Sequence, residues 1–137
     1  MSKPRKRKAV YYAHAMCMYG HPAESFELQF IRASFPGHRV INPATYGQDP
    51  NKRRDVLGFC FRLVESSEGV VFSRLLGKIT AGVGAEVNHA LSLSMPVFEL
   101  KTWRLSMEEW TLKRIERPVR FIARDATIAL YREYESQ

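Results

Sequence analysis

Cysteine is scarce in this chain of 137 residues: Cys17 and Cys60 are the only two, and they form no CxxC pair. That excludes a disulfide framework and a zinc site of paired thiolates, and points to reduced thiols in a cytoplasmic protein. Long apolar runs are missing too. None approaches the roughly 20 residues that a membrane-spanning helix requires, so no membrane partner is expected. The histidines at 14, 21, 38 and 89 show no ligand spacing, and no metal is expected. The N-terminal MSKPRKRK is charged but lacks the apolar core and cleavage site of a signal peptide.

What is present is ordinary for a globular protein: 45% hydrophobic and 26% charged residues. The net charge of +7 is unevenly placed, because Lys3, Arg5, Lys6, Arg7 and Lys8 supply five of those charges and leave +2 for residues 9–137. Residues 1–8 read as a basic flexible tail and 9–137 as a single domain, large enough to bury about two-thirds of its unfolded surface. With so balanced a body, the tail reads as a solubilising extension, and nucleic acid is not expected as a partner.

Apolar patterning alternates between short strands and amphipathic helices. AVYYA (9–13) is aromatic and β-branched and predicts a buried first strand. Residues 21–35 place Phe26, Phe30 and Ile31 on one helical face, and Pro36-Gly37 ends that helix. Residues 39–42 predict a second strand. A helix is expected from about 51 to 66, with Val56, Phe59, Cys60, Leu63 and Val64 as its stripe. GVVF (69–72) and PVFEL (96–100) predict two further buried strands. Beyond Leu100 the pattern predicts a helix from Ser106, with Glu108 and Glu109 in its first turn, and a closing helix over 125–134. Such alternation implies a three-layer α/β/α domain around a doubly wound parallel sheet of about five strands. The loops 14–20, 42–49 and 73–86 then leave the sheet at one rim, where ligands of such sheets bind.

The segment TAGVGAEVNHAL (80–91) is the most informative. Gly82 and Gly84 precede Glu86, which the spacing of Val87, Ala90 and Leu91 places in the first turn of a helix. Glycine lets backbone approach a ligand closely, and free N–H groups at a helix start favour an anion. The segment thus offers a cradle with one carboxylate.

GVGAEVNHAL (82–91) resembles the G-hydrophobic-G-x-E-L-G-x-A-hydrophobic signature of the nucleoside 2-deoxyribosyltransferase family, which includes the 2′-deoxynucleoside 5′-phosphate N-hydrolases. The resemblance extends loosely from Val10 to Leu100. It implies a flavodoxin-like fold and a homodimer or larger assembly, for which Trp103, Trp110 and Tyr131 are interface candidates. It also implies cleavage or exchange of an N-glycosidic bond without any cofactor. Glu86 takes the place of the nucleophile. Asp55, in RRDVLGF, takes that of the aspartate that serves the departing base, with Asp49 in reserve. Thr80 stands where nucleoside-type transferases carry an acid; a hydroxyl there, with the Gly82 and Gly84 N–H groups, suits the phosphate of a nucleoside 5′-monophosphate. Tyr12 is expected to stack on the base or position Glu86, although strand alternation leaves Tyr11 equally placed to face the site. Two positions depart from the signature: the loop after the first strand carries His14 where a glycine is usual, and Asn88 replaces the second-turn glycine. The rival reading is a non-catalytic nucleotide-binding sensor using the same cradle; a remoter one is a nucleic-acid binder acting through the tail.

Overall fold

The computed structural model describes residues 8–102 and 109–137. Strand β1 (Ala9–Ala13) is buried at every position, as is β3 (Gly69–Phe72) beside it. Both lack polar alternation because helices cover both sheet faces. β1 pairs in parallel with β2 (Arg39–Ile41) and β3, and β3 with β4 (Val97–Lys101). β5 (Thr111–Ile115) closes the sheet antiparallel to β4, giving the order β2-β1-β3-β4-β5. This is the flavodoxin-like arrangement, with its last strand reversed.

The helices divide between the faces as the strands' alternation demands. α3 (Val56–Glu65) and α4 (Ala81–Ser92) cover Tyr11, Ala13, Val70 and Phe72; α1 (Pro22–Ser34) covers Val10, Tyr12 and Val71 through Leu28 and Ile31. α5 (Arg124–Glu135) lies at the carboxyl rim, where Leu130, Tyr131 and Tyr134 pack on Ala15, Met18 and Leu75. Among the described residues no helix is long and apolar enough to cross a membrane.

Three expectations are corrected. The helix foreseen over 51–66 is two, α2 (Pro50–Arg54) and α3, separated at Asp55. Asp55 has φ −150° and ψ 87°, and its side chain caps α3 by accepting from the Gly58 N–H at 3.0 Å. An aspartate mid-run prefers this cap to a helical interior. The helix foreseen from Ser106 falls partly on 106–108, outside the described residues; Thr111–Ile115 is a strand. Here the free edge of β4 decides, because its backbone groups need partners that a helix would not supply. Finally, α4 begins at Ala81, so Gly82 and Gly84 lie within it and Glu86 falls in the second turn.

That early start is held from outside the helix. The Ala81 N–H donates to Thr127 Oγ1 of α5 at 3.0 Å, and the Gly84 N–H donates to the Thr80 carbonyl at 2.8 Å. A side chain at Gly84 would place its Cβ 2.3 Å from the ring of Phe121, so the glycine is required for the close pass of residues 117–123 over the helix.

Candidate functional site

A cleft of about 550 Å³ opens at the carboxyl ends of β1 and β3, between which the chain reverses its direction of winding. This is the topological switch point, the usual ligand site of an open α/β sheet. One wall comes from His14, Met16 and Tyr19 after β1, a second from the start of α3, and the floor from residues 80–86. The fourth side is a single face of α5: Arg124, Thr127, Ile128 and Tyr131, at the i, i+3, i+4, i+7 spacing of one helical stripe.

Glu86 is the one carboxylate lining this cleft among the described residues. Its Oε1 accepts a 2.6 Å hydrogen bond from the Tyr11 hydroxyl, and the residue is 7% exposed. Burial pushes its pKa up to about 7; donation from Tyr11 and from the Cys60 thiol, and the charge of Lys52, pull the other way. Desolvation is the largest of these because the carboxylate is almost wholly removed from water; the Lys52 ammonium donates to the Pro43 carbonyl at 2.5 Å beneath the Tyr19 ring. Burial likewise raises the pKa values of Tyr11 and Tyr19, so both hydroxyls remain donors.

The other end of the cleft suits an anion. Thr80 is 2% exposed, and its Oγ1 is buried without a hydrogen-bond partner. An orphaned hydroxyl of this kind is costly unless something engages it. It sits at the N-cap of α4, where N–H groups of the first turn point out of the helix. Gly82 borders the same space, with nothing within 4 Å of where its Cβ would stand. Arg124 adds a cation that makes no ion pair among the described residues.

Glu86, Thr80, Gly82 and His14 therefore meet in one cleft, whereas other expected residues do not reach it. Asp55 is exposed, bound to its helix cap and absent from the lining. Asp49 caps α2, accepting from the Asn51 N–H at 2.9 Å. Tyr12 points to the opposite face, where its hydroxyl donates to Glu27 at 2.6 Å; Tyr11, one residue earlier, holds Glu86. Gly84 has spent its N–H within the helix and serves packing. The loop 42–49 contributes nothing to the lining. Trp103 lies outside the described residues; Trp110 packs near Phe30 at 5.7 Å, and Tyr131 belongs to the cleft wall.

His14 borders the cleft with its backbone side. Its imidazole is stacked on Tyr12 at 3.7 Å and engaged at both nitrogens, Nε2 with Glu24 Oε2 at 2.6 Å and Nδ1 with the Tyr12 carbonyl at 3.2 Å. The ring is fully buried, and burial lowers its pKa. It braces the turn after β1 and leaves no ring nitrogen to a ligand. Sequence reasoning missed Tyr19 and the α5 stripe. The i, i+3 recurrence of Ile128 and Tyr131 was visible, but only the docking of α5 on the rim assigns that stripe to the cleft. Comparison of the chain with family models, with curated proteins and with solved structures finds no match.

Proposed function

We propose that this protein cleaves or exchanges the N-glycosidic bond of a nucleoside or nucleoside 5′-monophosphate, with Glu86 as nucleophile. The observation that carries the reading is a buried carboxylate, hydrogen-bonded by Tyr11 at 2.6 Å, in the switch-point cleft. In the ionised state Glu86 attacks the anomeric carbon as the bond to the base breaks. The bonding pair leaves with the base nitrogen, which takes up a proton, and water then hydrolyses the glycosyl ester and restores the carboxylate. Tyr11 holds the carboxylate oxygen throughout. With Asp55 outside the cleft, the O–H of Tyr19 is the group we assign to meet the departing base. Thr80 Oγ1, the Gly82 N–H at the start of α4 and Arg124 would receive the 5′-phosphate, while the exposed side chains of Met16, Val56, Leu57 and Ile128 offer an apolar surface for the base.

The rival sensor reading is favoured by one observation: among the described residues Glu86 is the one carboxylate in the cleft. Incubating wild-type and Glu86→Gln protein with ribo- and deoxyribonucleoside monophosphates, and following free base by chromatography, separates the two. Base released by wild type alone is the expected result. Nucleotide binding without release by either protein would establish the sensor instead.

A further inference from the structure

The balanced charge of residues 9–137 conceals a local segregation. A concavity of about 870 Å³ lies at the end of β4 beside β5, and its cations are Arg74, Lys101 and Lys113. A second, of about 270 Å³, continues from it through the shared Arg74 and Gly77 and adds Lys78 and Arg120. Five cations thus line two adjoining concavities, a groove that shares Arg74 and Gly77. Among the described residues the one carboxylate lining it is Glu99, whose side chain is 5% exposed and which Arg74 and Lys101 hold at 3.3 and 2.8 Å. Lys78, Lys113 and Arg120 are exposed and make no ion pair among the described residues.

Apolar side chains accompany these charges. Phe121 borders the groove at 46% exposure, its position fixed by contact with α4 over Gly84. Leu76 stands at the tip of a two-residue hairpin in which Leu75 and Lys78 exchange hydrogen bonds of 2.8 and 2.9 Å. With a type I′ turn, such a hairpin needs positive φ at both tip residues. Gly77 meets that freely at φ 80°, but Leu76 adopts φ 49°, a conformation that disfavours a leucine. An apolar side chain is therefore held in water, in a strained backbone, beside a row of cations.

We infer that this groove binds single-stranded nucleic acid, the cations following the phosphodiester backbone and Phe121 offering a face on which a base stacks. Spaced cations with an interleaved aromatic form the usual chemistry of single-strand binding. The inference is independent of chemistry at Glu86 and stands whether or not base is released there.

The test is fluorescence anisotropy of a labelled twelve-nucleotide oligothymidylate with the full chain, over a range of salt. A Lys78→Glu/Arg120→Glu double variant is compared with Arg62→Glu/Arg132→Glu, an equal charge change at exposed positions elsewhere. Binding is expected to fall at least tenfold in the first and to change little in the second. The slope of log K against log salt should flatten by about 1.4 in the groove variant, two phosphate contacts at about 0.7 each. Phe121→Leu, which keeps apolar packing over Gly84, is expected to weaken binding about fivefold or more through lost stacking. Thermal melts confirm that each variant is folded. Equal losses in the two charge variants would overturn the inference. So would loss of binding when Lys3, Arg5, Lys6 and Arg7 are changed to glutamine, or equal affinity for duplex DNA or phosphatidylserine vesicles.

Discussion

Glu86 is placed at a cost to folding, and that cost has a sign. Its pKa rises from 4.5 to about 7 in the fold, so the native state binds the proton more tightly than the unfolded chain. The residue's contribution to stability is therefore fully present below about pH 4.5 and is lost as pH rises through about 7. The difference corresponds to roughly 3 kcal/mol at pH 8. Glu86→Gln removes the ionisation, so its melting temperature should exceed that of wild type at pH 8, and the gap should close near pH 4. If Glu86 acts as the proposed nucleophile, activity should run the opposite way. A nucleophile must be ionised, so base release should climb through about pH 7. Tyr11→Phe, which removes the donor at 2.6 Å, should move that inflexion to higher pH, while a variant altered only in packing would leave it in place. Glu86 was legible in the sequence because its neighbours form a recognisable pattern. The choice between Tyr11 and Tyr12 was not, since both belong to a strand buried on both faces. Only the packing of α3 and α4 on one side and α1 on the other separates them.

At the level of elements, the two glycines of α4 have diverged in purpose. Gly82 borders open space, so Gly82→Ala should stabilise the fold by up to about 1 kcal/mol through helix propensity, while narrowing the anion end of the cleft. Gly84→Ala meets Phe121 at 2.3 Å and should destabilise by roughly 1–3 kcal/mol through overpacking. Opposite signs in urea unfolding would check the pair. The sequence showed both glycines but placed them ahead of the helix, because nothing local reveals that Thr127, 46 residues on, satisfies the Ala81 N–H. Asp55 teaches a related lesson: it was expected to serve the departing base, yet a carboxylate three residues before the Gly58 N–H is captured by its own helix. β5 was illegible for a different reason. Its side chains are mostly exposed and carry no strong alternation, and the pairing need of β4 lies outside the segment.

Across the whole molecule, the C-terminal third completes the cleft. The segment before α5 is fastened by Asn88, which donates from Nδ2 to the Val119 carbonyl at 3.1 Å and accepts from the Val119 N–H at 2.8 Å. The Ile122 N–H adds a bond to the Ile79 carbonyl at 3.0 Å. α5 itself buries only Thr127, so it is expected to open at a lower free energy than β1 and β3. Asn88→Ala should accelerate hydrogen exchange of the α5 amides and leave β1 and β3 protected. Equal acceleration in the strands would instead mark global destabilisation. A glycine at position 88 could make neither of these side-chain bonds, so Asn88 ties α4 to the segment that leads into the C-terminal wall.

The wall contributed by α5 also sets a timetable. During synthesis the strands β1 to β4 and the carboxylate of Glu86 are all made by residue 101, and domains begin to organise as they emerge. A nascent chain arrested there would carry Glu86 and Tyr11 but have one side of the cleft open to water. Arg124, Thr127 and Tyr131 arrive after them, so the pocket cannot close around anything until α5 has emerged.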